Sequence, residues 1–334
     1  MARKSRVKYP LAQQYSKVLV AGGAGFIGSH IVDKLLEAGA EVTVLDNLYS
    51  GQLENMEQHR RNKNFHFVKG DVRNVKQVKD IVKNVDAVFN DAAVVSVPRS
   101  VENPLLANDV NVKGALTLLK ASLDCGVKRF VQASSASVYG DTKTLPLHEN
   151  MASKPISPYA VSELAAENYA KVFYNVYGLE TVCLRYFNVY GPRQTFSPYS
   201  GATTIFVTKL LHNKPPMIHG DGEQTRDFVY VEDVVSANLL ALTNKNAVGE
   251  AFNIATGEAT AINKLVQTLQ KTIGKTYLNP IHDEPAPGDI RYSYASIEKA
   301  RKILGYKPMF ALEKGLRKLV EWYTAKPLKK TGKK

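Results

Sequence analysis

Short apolar runs alternate with longer segments of helical spacing along the first 188 residues of the chain. The runs are four or five residues long and rich in Val, Leu and Phe, which is typical of buried strands. The predicted strands are residues 17–21, 41–45, 65–68, 87–90, 129–133 and 181–185. The predicted helices are residues 26–38, 112–125 and 159–177, each followed by a glycine. This alternation predicts a mostly parallel sheet covered by helices on both faces, a doubly wound α/β fold.

The formal net charge of +13 does not favour nucleic-acid binding, because most of the excess lies at the two ends of the chain. Residues 1–16 contribute four positive charges and residues 326–334 contribute five, and neither segment contains an acid. The two cysteines, Cys125 and Cys183, lie in apolar stretches and are typical of buried thiols in a reducing compartment. No apolar run has the length of a signal peptide or membrane span. We therefore expect a cytoplasmic protein with neither a nucleic acid nor a membrane as partner.

A glycine-rich turn lies between the first predicted strand and the first predicted helix. Residues 22–28 read Gly-Gly-Ala-Gly-Phe-Ile-Gly, with glycines at a spacing of three. Glycine lets the backbone approach a pyrophosphate, and the N-terminus of the following helix offers unpaired N–H groups to it. Asp46 ends the second predicted strand, where its carboxylate can accept both hydroxyls of an adenosine ribose and would repel a 2′-phosphate. The sequence thus predicts a site for a nicotinamide dinucleotide, NAD in preference to NADP.

Asp71 ends the third predicted strand, and two interpretations of it remain open. Asp71 and Val72 flank the adenine in the first. In the second, Asp71 is a turn or helix cap, since aspartate is common in both places.

Beyond this turn, the residues resemble the extended short-chain dehydrogenase/reductase family, in particular its nucleotide-sugar 4-epimerases. The resemblance extends from about Lys17 to Tyr323. The blocks that carry it are residues 22–28, 96–100 (Ser-Val-Pro-Arg-Ser), 111–114, 134–140, 157–160, 184–192, 220–222, 226–228 and 288–291. The basic leader and the Ser-Val-Pro-Arg-Ser block look most like the UDP-N-acetylglucosamine 4-epimerases.

The resemblance implies a Rossmann-type NAD-binding domain and a smaller mixed α/β domain for the nucleotide sugar. We expect the first over residues 17–187, with a returning segment at about 226–254. The second comprises residues 188–225 and 255–325, where proline and glycine become frequent. Residues 1–16 form a basic leader and residues 326–334 a basic tail. The family also implies a homodimer in contact through residues 112–125 and 159–177.

A reaction at C4 of the sugar follows from the same resemblance. Retained NAD takes a hydride from C4 while a tyrosinate takes the proton of the 4-hydroxyl, and the hydride then returns to the other face of the 4-keto sugar. Tyr159 stands at the position of the family's tyrosine, and Ser135 would hydrogen-bond the 4-oxygen. Without the resemblance, Tyr159 would be interpreted as an aromatic residue at the start of a helix, and Ser135 as a hydroxyl at the end of a strand that caps a turn. Ala136 and Ser137 cannot supply the carboxyl groups of the related dehydratases and decarboxylases.

Two acidic residues depart from the family's pattern. Its Tyr-x-x-x-Lys reads Tyr159 to Glu163 here. A glutamate can accept from the ribose hydroxyls of the cofactor, but its negative charge should raise the pKa of the tyrosine. We therefore expect slow turnover and a gain in rate from Glu163→Lys. The second departure is Asp91, in a segment where the family usually has His followed by Leu or Gln. Asp91 adds a negative charge near the cofactor if its side chain points inward.

The substrate end contains two candidate diphosphate ligands, Arg226 and Arg291, because a guanidinium matches phosphate oxygens. Asn188 resembles the family asparagine that binds the same diphosphate, and residues 203–206 and 217–219 would enclose the uridine. His219 is equally well explained as a partly exposed strand residue. Ser293 stands where small side chains leave room for an N-acetyl group, so we expect use of UDP-GlcNAc and UDP-GalNAc, and of UDP-Glc and UDP-Gal.

The expected site residues fall into three groups, and no metal site is expected. The expected catalytic residues are Tyr159, Ser135 and Glu163. The expected cofactor-binding residues are Gly22, Gly25, Phe26, Ile27, Gly28, Asp46, Asn47, Ser50, Gly51, Asp71, Val72, Asp91, Ala92, Ala93, Asn111, Tyr159, Glu163 and Phe187. The expected substrate-binding residues are Ser96, Ser135, Ser137, Tyr159, Asn188, Thr204, Met217, His219, Arg226, Arg291 and Ser293. The alternatives are another nucleotide-sugar enzyme of this family, such as a UDP-uronate epimerase, and a weakly catalytic protein that binds NAD and a nucleotide sugar.

Overall fold

A seven-stranded parallel sheet forms the centre of the protein. The structure is a computed structural model that describes residues 14–194, 201–285 and 290–325. The strands of the sheet are β1 (Lys17–Ala21), β2 (Glu41–Asp46), β3 (Phe65–Lys69), β4 (Ala87–Asn90), β5 (Arg129–Ser135), β6 (Thr181–Tyr186) and β11 (Ala251–Ile254). Their order across the sheet is β3-β2-β1-β4-β5-β6-β11, and every neighbouring pair is parallel. All six predicted strands are present, and the predicted doubly wound α/β fold is confirmed.

Helices cover both faces of this sheet, as expected for a parallel sheet. The α-helices of the described residues are α1 (Phe26–Glu37), α2 (Val75–Val82), α3 (Val97–Glu102), α4 (Pro104–Asn108), α5 (Ala115–Asp124), α6 (Pro158–Tyr177), α7 (Ala202–Leu211), α8 (Val231–Thr243), α9 (Ile262–Ile273) and α10 (Leu312–Ala325). The helix predicted over residues 112–125 begins instead as a π-helical turn, Asp109–Gly114, which continues into α5. No helix in the described ranges is long and apolar enough to cross a membrane.

The region after β6 contains three small sheets of two strands each. Their strands are β7 (Asn188–Tyr190) with β10 (Phe228–Tyr230), β8 (Met217–His219) with β13 (Ile281–Asp283), and β9 (Thr225–Arg226) with β12 (Thr260–Ala261). The last pair is antiparallel and the other two are parallel. The mixed α/β character expected for this region is therefore present, although its helices were not predicted. The division into two domains at the stated boundaries stays a prediction.

The strand order reverses between β1 and β4, and this reversal places the site. In such a sheet, the loops after the two central strands lead to opposite faces and open a crevice at the carboxyl edge. The glycine turn follows β1, Asp91 follows β4, and Ser135 ends β5, all at this edge. The basic tail, the leader up to residue 13, and Gly288 and Asp289 lie outside the described residues.

Candidate active site

The glycine turn after β1 has the backbone of a phosphate-binding loop. Gly22 has a φ of +80°, and a Cβ at this position would lie 2.7 Å from backbone atoms of Asp91 and Ala92. A Cβ on Gly28 would press against the carbonyl oxygen of Gly22. Gly25 caps α1 without a side-chain hydrogen bond, so its first-turn N–H groups remain available to an anion. The backbone therefore fits a dinucleotide diphosphate at this turn.

Asp46 lies beside this turn at the end of β2. Its carboxylate accepts hydrogen bonds from the backbone N–H of Ala24 at 3.0 Å and of Leu48 at 2.8 Å. Burial raises the pKa of Asp46, and the two N–H donors oppose that rise. Gly51 leaves space here, because a Cβ would lie 2.8 Å from the nearer carboxylate oxygen. The carboxylate is thus held in place with lone pairs left for ribose hydroxyls.

Asp71 braces the turn after β3. Its carboxylate binds the Arg73 guanidinium through two contacts of 2.8 Å, and the Asn47 amide donates to it at 3.1 Å. The Arg73 side chain holds the pKa of Asp71 well below its usual range. These bonds are consistent with a residue that holds a turn, and a place for Asp71 and Val72 beside the adenine stays a prediction. Val72 is buried next to Gly114, and its side chain would meet a Cβ at that glycine.

The expected catalytic pair, Tyr159 and Ser135, meets at the carboxyl edge of the sheet. Ser157 caps α6 by accepting from the N–H of Ala160 at 3.1 Å, which makes Tyr159 the second residue of the helix. The N–H of Tyr159 donates to the Ser100 hydroxyl of α3 at 3.0 Å. The hydroxyl of Ser135 hydrogen-bonds the phenol oxygen. Burial and the charge of Glu163 raise the pKa of Tyr159 far above its ordinary value, and the bond from Ser135 lowers it.

Glu163 lies one helical turn beyond Tyr159 and is only 6% exposed. Burial, followed by the charges of Glu167 and Asp91, raises its pKa to about 8. The sequence left open where Asp91 points; its carboxylate interacts with the Tyr186 hydroxyl at the end of β6 and so points inward. Burial raises the pKa of Asp91 to about 7. Both unusual acids therefore belong to the same part of the site.

An ion-pair network that the sequence analysis missed holds α6 against the sheet. Glu167, fully buried, accepts from the Arg185 guanidinium of β6 at 2.7 and 2.9 Å and from Lys171 at 2.6 Å. The Ser134 hydroxyl of β5 donates to it at 2.8 Å. The guanidinium of Arg185 also donates to the Tyr139 hydroxyl at 2.8 Å. These bonds fix the helix that carries Tyr159 and Glu163.

Several expected substrate residues have structural partners of their own. Ser96 caps α3 by accepting from the N–H of Arg99, and the Thr204 hydroxyl donates to Gln194 at 2.7 Å. By contrast, the buried Ser137 hydroxyl has no hydrogen-bond partner within the described ranges. A buried hydroxyl of this kind is suited to a ligand that completes its bonding.

The other expected substrate residues lie along the small sheets. The backbone of Thr225 pairs with residues 291 and 293 at 3.0 and 3.1 Å, which places Arg226 and Ser293 on neighbouring segments. The side chain of Arg291 is occupied by Asp221, through two contacts of 2.7 and 2.8 Å. Met217 and His219 are exposed in β8, and His219 lies 3.7 Å from Asp283.

No group of His, Cys, Asp and Glu side chains in residues 14–194, 201–285 and 290–325 could hold a metal ion.

The remaining expected cofactor contacts lie around the crevice. Ser50 follows β2, Ala93 follows β4, Phe187 follows β6 and is buried, and Asn111 is buried beside Glu163.

The glycine turn, the Asp46 carboxylate and the Tyr159–Ser135 pair are together typical of a dinucleotide-dependent enzyme of the Rossmann class. The chain belongs to the NAD-dependent epimerase/dehydratase family, whose model matches residues 18–255. NAD is therefore its cofactor.

Solved structures of the family superpose over nearly the whole chain. The UDP-glucose 4-epimerase of Thermotoga maritima, solved with UDP-glucose, is 40% identical, with a TM-score of 0.88 over 92% of this chain and 99% of that one. The UDP-N-acetylglucosamine 4-epimerase of Methanobrevibacter ruminantium, solved with UDP-N-acetylmuramic acid, is 38% identical, with a TM-score of 0.89 over 93% and 98%. The Thermus thermophilus UDP-glucose 4-epimerase, solved with NAD, is 37% identical, with a TM-score of 0.83 over 92% and 99%.

Proposed function

We propose that this protein is an NAD-dependent 4-epimerase of UDP-sugars, acting on UDP-GlcNAc and UDP-GalNAc and also on UDP-Glc and UDP-Gal. The observation that carries the proposal is that Tyr159 and Ser135 lie together at the carboxyl edge of the sheet, beside the glycine turn. A phenol and a hydroxyl in contact can accept and return the proton of one sugar hydroxyl. The neighbouring Ala136 and Ser137 carry no carboxyl group for elimination elsewhere on the ring.

Tyr159 and Ser135 have different roles in the reaction at C4 of the sugar. When bound, NAD accepts a hydride from C4 and returns it. Tyr159 takes the proton of the 4-hydroxyl and gives it back to the 4-oxygen, while Ser135 donates a hydrogen bond that steadies the oxygen. The ionised phenol is scarce at neutral pH because burial raises the pKa of Tyr159. Proton transfer should therefore limit the rate.

The preference for N-acetylated sugars rests on Ser293. Its small side chain is 9% exposed, and its backbone N–H donates to Thr225 at 3.1 Å, next to Arg226. Ser293→Tyr would fill space beside a diphosphate held by Arg226 and should abolish activity on UDP-GlcNAc while sparing UDP-Glc. Ser293→Ala is the matched control and should keep both activities. Equal loss of both activities in Ser293→Tyr would contradict this assignment.

Product analysis by NMR tests the reaction itself. The protein with NAD bound is incubated with UDP-GlcNAc, UDP-Glc and UDP-GlcA, and each product is identified by its sugar protons. We expect the 4-epimers of the first two and none in Tyr159→Phe. Conversion of UDP-GlcA alone would make the protein a uronate epimerase. No conversion by a protein that retains NAD would make it a binding protein.

The exposed face of α6 supports a homodimer. Val161, Val172 and Val176 are 54%, 47% and 65% exposed and lie on one face of the helix. Leu105 of α4, which contacts α6, is 80% exposed. Apolar residues grouped in this way favour an interface between two copies. Light scattering should give twice the chain mass, and Val172→Glu should reduce it to one; a monomeric wild-type protein would refute the dimer.

A further inference from the structure

Two acids that are far apart in the sequence meet in the active site. Asp91 follows β4 and Glu163 lies in the second turn of α6. Asn111 links their two segments: its side-chain oxygen accepts from the N–H of Val94, three residues after Asp91, at 2.7 Å, and its amide nitrogen lies 3.4 Å from Glu163. Glu163 is buried, and Asp91 is half-buried at the edge of the crevice. The two carboxyl groups therefore lie in the same part of the site, and the charge of Asp91 acts on Glu163.

The hydrogen bonds available to Glu163 are poor for an ionised carboxylate. The amide nitrogen of Asn111 lies 3.4 Å from it, but the same nitrogen is 2.9 Å from the Ser162 hydroxyl and 3.3 Å from the Val94 carbonyl. An amide nitrogen carries two hydrogens and cannot serve three acceptors fully. Glu163 thus has at most a share of one long hydrogen bond among the described residues.

The charges around Glu163 also disfavour a second negative group. The titratable groups that face it are Tyr159 and Glu167 on its own helix, Asp91 after β4 and Tyr186 at the end of β6. The nearby cations Arg185 and Lys171 both form ion pairs with Glu167, one turn further along α6. In the described part of the chain, no lysine or arginine acts on either Asp91 or Glu163.

Two ionised carboxylates without a cation repel each other strongly in a buried setting, and such pairs retain a proton. We propose that Asp91 and Glu163 form a coupled carboxyl pair that holds at least one proton at neutral pH. The pair gives the site a neutral hydrogen-bond donor where related enzymes carry a lysine. Burial raises the pKa of Glu163 to about 8 and that of Asp91 to about 7, in accord with this geometry. Glu163 is then a positioning residue that supplies this donor. Any effect of the donor on catalysis rests on the proposed epimerase function.

Infrared difference spectroscopy of the protein with NAD bound detects the proton directly. At pH 7 the wild-type protein should show the C=O stretching band of a protonated glutamate, identified by carboxyl-¹³C labelling of glutamate and lost in Glu163→Gln. The band should decrease as the pH rises above 7. In Asp91→Asn it should titrate at lower pH, because the neighbouring charge is gone. Glu37→Gln, at an exposed position of α1, is the matched control and should leave the band unchanged.

Two results would overturn the pair. One is the absence of any protonated carboxyl band at pH 7 in wild-type protein labelled at glutamate and at aspartate, which needs no variant to fold. The other is an identical titration of Glu163 in the wild type and in Asp91→Asn. Neither result depends on turnover, so a protein with the band and no epimerase activity would refute the proposed function while leaving the pair intact.

Discussion

Replacing Glu163 by lysine should accelerate epimerisation at pH 7. The phenol of Tyr159 is ionised only rarely at pH 7, because burial raises its pKa. A cation close to an acidic group lowers its pKa by about one to three units. Each unit corresponds to about tenfold in the ionised fraction. Glu163→Lys should therefore raise turnover by about tenfold at least, and by up to about a thousandfold while proton transfer remains limiting. Asp91 would serve as the counter-ion of the new lysine.

Initial rates of UDP-Glc and UDP-GlcNAc conversion, measured from pH 6 to pH 10, test this prediction. The NAD content of each preparation is determined from the nucleotide released on denaturation, so that a change in cofactor binding is separated from a change in rate. Glu163→Gln is the isosteric control, because it removes the acid without adding a cation. Its rate at pH 7 should stay close to that of the wild type if Glu163 is protonated there. A Glu163→Lys protein that retains NAD and its fold but turns over no faster would refute the reasoning.

Three further predictions concern binding and stability. Gly28→Ala should lose NAD on dialysis, because a Cβ would press against the carbonyl oxygen of Gly22; retained NAD would contradict the turn geometry. Glu167→Gln should lower the free energy of unfolding by about 3–5 kcal/mol in urea titrations, because it leaves Arg185 buried without its carboxylate, and a smaller loss would mean that this pair does not secure α6. Folding raises the pKa of Glu163 from 4.5 to about 8, so its contribution to stability is present below about pH 4.5 and is lost as the pH rises to about 8. Glu163→Gln should therefore gain stability relative to the wild type across that window, by at most about 5 kcal/mol, and a pH-independent difference would contradict the shift.

The sheet could be predicted from the sequence because its inner strands are buried on both faces. Such strands are continuous apolar runs, as in Val18 to Ala21, and the helices between them are punctuated by glycines. The strand β11 was harder to recognise because Asn253 interrupts its short apolar run. Helix α9 was missed although Ile262, Leu265, Val266 and Leu269 show helical spacing. The frequent prolines and glycines on either side of it favoured an irregular region.

For the site too, features formed by one contiguous segment could be predicted, whereas contacts between distant segments could not. The glycine turn and Asp46 could be predicted because a strand, a turn and a helix are contiguous in sequence. The roles of Tyr159 and Ser135 came from the family resemblance, and the structure brings their side chains together. The bond between Glu167 and Arg185 was not predictable, because it depends on how α6 lies across β6.

The two departures from the family's pattern explain each other once the fold places them side by side. From the sequence alone, Glu163 is expected to carry a negative charge that opposes ionisation of Tyr159, and Asp91 is expected to add a second negative charge. Together, without a cation in the described part of the chain, they favour a shared proton. Below about pH 8 the charge next to the phenol is then smaller than the sequence suggests, and the site retains a donor at the lysine position. The penalty on Tyr159 should consequently grow as the pair loses its last proton, so the wild-type rate should rise less steeply above pH 8 than that of Glu163→Gln.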